Sequence, residues 1–195
     1  MAALVGNARR VAFRTKDTLG SVARWHAANS KRAPVLTGFA TCFTAGCCAD
    51  TAVQSLNGSQ LDYKRSLKFA IFTGCYGGVA CHYIYVVAFG KLFGEGSGAA
   101  TVLAKVALDQ FVHCPFIYAP VFYIYHSVAN AGTAAEGMER WRSEGMDMMK
   151  ACWGLYIPFQ LANFSVVPRD SRIAALCVCN GIWMLMLACF SQKKR

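Results

Sequence analysis

Residues 111–129 read FVHCPFIYAPVFYIYHSVA, nineteen consecutive positions without an aspartate, glutamate, lysine or arginine. About twenty predominantly apolar helical residues cross the hydrocarbon core of a bilayer. The run therefore predicts a membrane-crossing helix from about Val102 to Val128, with Lys105 and Asp109 in its first turns. Pro115 and Pro120 are expected to bend it. A membrane helix tolerates them because neighbouring groups satisfy the carbonyls that proline frees.

Three further blocks share this character. Ala33–Leu56 begins at Pro34, a favourable first helical residue, is uncharged over 33–49, and ends at the turn Asn57-Gly58-Ser59. Ser66–Phe89 contains one charge, Lys68, near its end, where a lysine snorkels to the interface. Ile173–Phe190 is uncharged and meets the lower length limit for a span. Between the third and last blocks, residues 133–150 are polar and methionine-rich and read as an amphipathic connecting helix outside the hydrocarbon. Ala151–Pro168 is apolar but interrupted by Pro158, Gln160 and Asn163, and reads as broken, re-entrant or peripheral. The expected fold is all-α, a polytopic transmembrane helix bundle of about four spans plus that broken or re-entrant fifth segment. It occupies residues 33–195, after a basic amphipathic segment over residues 1–32.

Composition agrees with this class. Apolar residues make up 55% of the 195 positions and charged residues 15%, against about 25% in a soluble domain. The net charge of +10 raises the question of nucleic acid. The basic residues, however, flank apolar blocks and do not gather on one polar face, so the expected partner is the lipid bilayer and not nucleic acid. Residues 1–32 carry Arg9, Arg10, Arg14, Lys16, Arg24, Lys31 and Arg32 against Asp17. This acid-poor stretch is similar to a mitochondrial targeting segment and lacks the apolar centre of a secretory signal. It is read as retained and lying along the interface. With Lys193, Lys194 and Arg195 at the other end, an even number of crossings would place both termini, and twelve of the twenty basic residues, on the inner side.

The ten cysteines lie within or beside apolar blocks, where cysteine behaves as a small hydrophobe, so no structural disulfide and no metal site is expected. No Ser–His–Asp order, glycine-rich phosphate loop or HExxH motif is present, and neither enzymatic activity nor a cofactor is expected. Two stripes run at i, i+4 spacing: Gly38, Cys42, Gly46, Asp50, Gln54, and Gly74, Gly78, His82. Such faces let helices approach closely in lipid, so Gly38, Gly46, Gly74 and Gly78 are read first as packing positions and second as one wall of a polar path. A third ladder is Lys105, Asp109, His113, with Gln110 beside it. The polar intramembrane candidates are Asp50, Gln54, His82, Lys105, Asp109 and Gln110. An unpaired charge in a span costs roughly 3 kcal/mol or more, so both aspartates are expected to face inward, paired with Lys105, Arg65 or Arg172.

Several spacings together resemble one family. They are Asp50-x3-Gln54, then Arg65 and Gly78-x3-His82-x2-Tyr85, then Lys105-x3-Asp109-Gln110-x4-Pro115. The most specific run is Trp153-x2-Tyr156-x-Pro158-x-Gln160-x2-Asn163-Phe164-x2-Val167-Pro168-x3-Arg172, followed by Trp183. On these motifs the chain resembles the Mpv-seventeen and twenty-two-kilodalton peroxisomal membrane protein family, departing from its usual pattern at Val79, Ile84, Tyr156 and Ile157. The resemblance implies a non-enzymatic protein of the mitochondrial inner membrane, or alternatively of the peroxisomal membrane. It also implies a link to small-solute channel activity and membrane homeostasis. A channel would line its path with Asp50, Gln54, His82, Asp109 and Gln110. The other class kept open is an accessory subunit of a large inner-membrane assembly, such as a respiratory complex or ATP synthase, with other membrane subunits as partners.

Overall fold

A computed structural model describes residues 21, 24–58, 60–94 and 96–193, with side chains through Met186. Most of the basic segment 1–32 lies outside the described residues; 24–32 are helical. The chain then bends at Ala33, whose φ of −140° and ψ of 67° leave the helical region. His26 Nε2 and Thr41 Oγ1, 3.1 Å apart, tie this short helix to the next one.

All regular structure among the described residues is helical. Five helices follow the bend: α1 (Pro34–Leu56), α2 (Tyr63–Phe93), α3 (Ala99–Ala129), α4 (Ala134–Ser165) and α5 (Arg172–Lys193). Two of them, α2 and α3, are long and apolar enough to cross a membrane, each 31 residues.

Each start has a local cause. Asp62 caps α2 by accepting from the Arg65 amide at 3.0 Å. α4 opens with a capping box: Thr133 Oγ1 accepts from the Glu136 amide, and Glu136 Oε2 accepts from the Thr133 amide.

The sequence reading of 133–168 needs correction. The polar connector and the segment expected to be broken form one uninterrupted helix of 32 residues, α4, passing through Pro158. Gln160 and Asn163 do not break it, because both side chains are fully buried and hydrogen-bonded to each other and to α3. A polar residue in an apolar helix is stable once its partners are inside the protein.

Consecutive helices run antiparallel. Gly46 faces Thr73 while Gly38 faces Gly78 across α1 and α2. Lys68 accepts from Tyr125 while Tyr85 donates to Asp109 across α2 and α3. Gly137 lies against Ile124 while Gln160 reaches Asp109 across α3 and α4. The last helix packs parallel to the first, Gly38 beside Ile173 and Cys42 beside Cys177. Pro34 and the end of α5 therefore sit at opposite ends of the bundle. The expectation of both termini on one side concerns residues that lie outside the described ones.

Cys42 and Cys177 form a disulfide across a Cα–Cα distance of 5.6 Å and 135 residues of sequence, contrary to the expectation that none would form. The small-residue face of α1 brings α5 close enough for their cysteines to meet. Peptide mapping under non-reducing conditions is expected to recover a Cys42–Cys177 cross-link; free thiols at both positions would contradict the pairing.

Wide, π-helical turns interrupt α2 at Thr73–Ala80 and Tyr83–Ala88, and α3 at Asp109–Tyr118. The α3 stretch contains Pro115. In this register the Gln110 carbonyl would bond the nitrogen five residues on, which is proline and carries no hydrogen. Trp153 of α4 supplies the missing donor, its indole Nε1–H lying 3.0 Å from the Gln110 oxygen.

Candidate functional site

The polar side chains singled out in sequence separate into three places. At one end of the bundle, Asp50 is buried. Its Oδ1 accepts from Arg65 Nε and Nη2, both at 3.1 Å, and its Oδ2 from Gln54 Nε2 at 2.7 Å and Ser66 Oγ at 2.8 Å. Gln54 Oε1 also accepts from the Asp62 amide at 2.6 Å. The group fastens the α1–α2 turn, and Arg65 remains half-exposed.

At the opposite end, Lys105 is buried, and its Nζ donates to the carbonyls of Gly94 and Gly96, closing the α2–α3 turn. The expected pairing of Lys105 with Asp109 is replaced by this arrangement. Arg172 likewise lies over the Phe164 ring and not against either aspartate. His82 points toward α1 and is half-buried, in a small recess of about 20 Å³ with His26, Ser30, Arg169 and Asp170. Arg169 donates to the Val86 carbonyl there.

The third place is the middle of the bundle, around Asp109, 1% exposed. Its Oδ1 accepts from Tyr85 O–H and His113 Nδ1–H, each at 2.8 Å. Its Oδ2 accepts from Gln110 Nε2 and Gln160 Nε2, each at 2.7 Å. Four donors fill the acceptor sites of a carboxylate. With Nδ1–H given to the carboxylate, the other ring nitrogen of His113 lies 2.9 Å from the Tyr76 hydroxyl. Asn163 Nδ2 donates to Gln160 Oε1 at 2.9 Å and fixes that amide from behind.

Asp109 borders a cavity of about 100 Å³ between α2, α3, α4 and α5. Asp109, Gln110, Gln160, Tyr85 and His113 line one part of it, and Phe69, Phe72, Tyr118, Phe122, Trp183 and Met184 another. Beyond Asp109 the bundle is closed by apolar packing of Tyr85, Phe89, Val102, Val106 and Phe164. Among the described residues lining the cavity, Asp109 is the one carboxylate, and no lysine or arginine contributes.

The structure thus brings Asp109 and Gln110 of the candidate set together and holds Asp50, Gln54, His82 and Lys105 apart from them. It adds Tyr76, Tyr85, His113, Gln160 and Asn163. Two signals pointed to some of these: the i, i+4 step from Asp109 to His113, and the i, i+3 step from Gln160 to Asn163. Of the remaining signature residues, Trp153 holds the Gln110 carbonyl and packs on Phe111. Trp183 packs on Tyr156 at the cavity wall, Phe164 packs on Tyr85 and Phe89, and Pro168 precedes the short 3-10 turn Arg169–Ser171. Tyr156 donates to Asn180 at 2.7 Å, joining α4 to α5.

Fold and site together define an all-helical bundle with two helices long and apolar enough to cross a membrane and a carboxylate network at its centre. Comparison with known proteins narrows this class. The profile of the Mpv17 / PMP22 family matches residues 127–188. The Protein SYM1 of Mycosarcoma maydis is 28% identical over 156 residues, covering 75% of this chain and 76% of the relative. The PXMP2/4 family protein 2 of Dictyostelium discoideum is 24% identical over 135 residues, 69% of this chain and 68% of the relative. The Mpv17-like protein of Bos taurus is 33% identical over 106 residues, 51% of this chain and 48% of the relative. No solved structure matches the chain. Over these stretches the chain is similar to members of the Mpv17 / PMP22 family.

Proposed function

We propose that this chain is an integral protein of an organellar membrane, crossing the bilayer five times and offering a small solute a polar compartment near the middle of its permeation path. The organelle is the mitochondrial inner membrane, with the peroxisomal membrane as the alternative. The SYM1 relatives and the similarity to the Mpv17 / PMP22 family support that placement.

One observation carries the function: a carboxylate held by four donors beside a cavity inside the bundle. Charge at this depth is costly, and paired intramembrane carboxylates mark solute and ion pathways. The apolar packing of Tyr85, Phe89 and Phe164 beyond Asp109 reads as the closed end of that path.

Gly77 provides a test. It lines the cavity, and a Cβ there would meet only ordinary contacts, the nearest being Cys42 Sγ at 3.6 Å. Gly77→Leu therefore places its Cβ without a clash and is expected to take up cavity volume with the rest of its side chain. In reconstituted vesicles it should lower small-solute flux severalfold while the thermal melt stays at the wild-type value. Unchanged flux would remove the cavity from the path.

Five crossings follow from reading α1, α4 and α5 as spans beside α2 and α3. In α4 the exposed pairs Arg142–Glu139 and Arg140–Glu144 then lie outside the hydrocarbon, and residues from about Met146 onward lie within it. Protease protection of terminal tags is expected to place them on opposite sides. Tags on the same side would return the count to an even number.

A further inference from the structure

The Gln110 side chain is 2% exposed and lines the cavity, and its amide orientation is fixed. Nε2 donates to Asp109 Oδ2 at 2.7 Å; turning the amide over would set oxygen against carboxylate. That leaves Gln110 Oε1 buried without a hydrogen-bond partner. A buried acceptor in this state is costly, so a ligand that brings a donor gains from it. The donor's charge follows from the rest of the lining. Asp109 is the one formal charge contributed by the described lining residues, and it is negative. Around it stand the rings of Phe72, Tyr76, Tyr118 and Phe122, with Phe72 and Phe122 centroids 5.5 Å apart and Tyr76 and Tyr118 centroids 5.3 Å apart. Aromatic faces are negative and attract cations, most strongly where water is excluded.

Size sets a further limit. A cavity of about 150 Å³ accommodates benzene, so one of about 100 Å³ takes roughly four to six non-hydrogen atoms. Leu176, Met184 and Trp183 provide apolar wall for a short hydrocarbon tail.

We propose that the cavity is a binding site for a small primary alkylammonium ion, its N–H groups directed to Gln110 Oε1 and its tail along the aromatic wall. The assignment rests on reading the cavity as a solute compartment and names the class of solute. A neutral alcohol offers the donor without the charge. A quaternary ammonium offers the charge without a donor. A carboxylate offers neither and is repelled by Asp109.

The experiment compares n-propylammonium, n-propanol, tetramethylammonium and propionate as ligands of the full-length protein in detergent, by calorimetry and by shift of the thermal melt. n-Propylammonium is expected to bind, with n-propanol and tetramethylammonium each weaker by about tenfold or more, the equivalent of one charge-assisted contact. Propionate is expected to give no shift. Gly77→Leu should abolish binding, and Phe122→Leu should weaken n-propylammonium while leaving n-propanol unchanged. His82→Ala, outside the cavity, should bind like wild type. Equal binding of all four compounds, no binding of n-propylammonium, or undiminished binding by Gly77→Leu overturns the proposal. If n-propylammonium fails to bind while Gly77→Leu still lowers solute flux, the ammonium assignment falls and the solute compartment stands.

Discussion

Gly78→Leu leaves little folded protein in detergent. A Cβ at Gly78 would lie 2.5 Å from the Gly38 carbonyl oxygen and 2.6 Å from both the Gly38 carbonyl carbon and Phe39 Cα. Reciprocally, a Cβ at Gly38 would lie 2.9 Å from the Gly78 oxygen. All of these obstacles except the substituted atom are backbone, so no rotamer change relieves them, and α1 and α2 must separate. Overpacking of this kind costs about 1–3 kcal/mol where side chains can adjust, and the expected loss lies at or above the upper end because they cannot. The α1–α5 seam is strained with it, since the Ile173 side chain lies beside Gly38, while the Cys42–Cys177 disulfide still joins the two helices. The contrast with Gly77→Leu, one residue away, separates steric exclusion from a general effect of leucine in this helix. A wild-type melt for Gly78→Leu would mean that the two backbones do not approach as described.

Asp109→Asn is expected to destabilise the bundle by about 1–3 kcal/mol for each buried donor it leaves unpaired. The substitution preserves volume, so packing alone predicts almost no change. Hydrogen bonding predicts a large one. An amide places NH2 where one carboxylate oxygen was, opposite two of the four donors. Gln160 cannot turn to offer its oxygen without losing the hydrogen bond from Asn163. Tyr85 and His113 can reorient, but only by giving up their own bonds to residue 109 and, for His113, disturbing Tyr76. Denaturant or thermal unfolding in detergent reads the difference directly. A melt equal to wild type would mean that Asp109 is hydrated and not held by these four groups.

The helices were legible from runs of uncharged residues, and their ends from Pro34, Asn57-Gly58 and the glycine loop before Ala99. Helix α4 was not, because Pro158, Gln160 and Asn163 look like interruptions until their partners are known. The central site was legible only around Asp109. Tyr76 and Tyr85 are nine residues apart, and on an ordinary α-helix of 3.6 residues per turn they would face opposite ways. Two wide turns lie along this stretch of α2, at Thr73–Ala80 and Tyr83–Ala88, and both tyrosines reach α3, one at His113 and the other at Asp109. Hydrophobic periodicity contains no sign of such a register change. Gly74, Gly78 and His82 are turned to α1, so His82 sits away from Asp109. Gln110 and Trp153 were noted as neighbours of a motif and as a signature residue. Their contact depends on the proline at 115 freeing a carbonyl, which only the helix register reveals.

The parallel seating of α5 against α1 bears on how the protein is made. Synthesis proceeds from the N-terminus, so α1 is made well before α5, the neighbour it packs against in parallel. Until the 22-residue α5 is released, the part of α1 that meets Ile173 and Cys177 has no permanent occupant. The unfinished protein must therefore be chaperoned, or wait, with its first-made surface open. A stop between Ser165 and Arg172 would leave four helices without the one that packs on both α1 and α4, and such a product would be exposed to quality control despite containing Asp109 and all four of its hydrogen-bond partners.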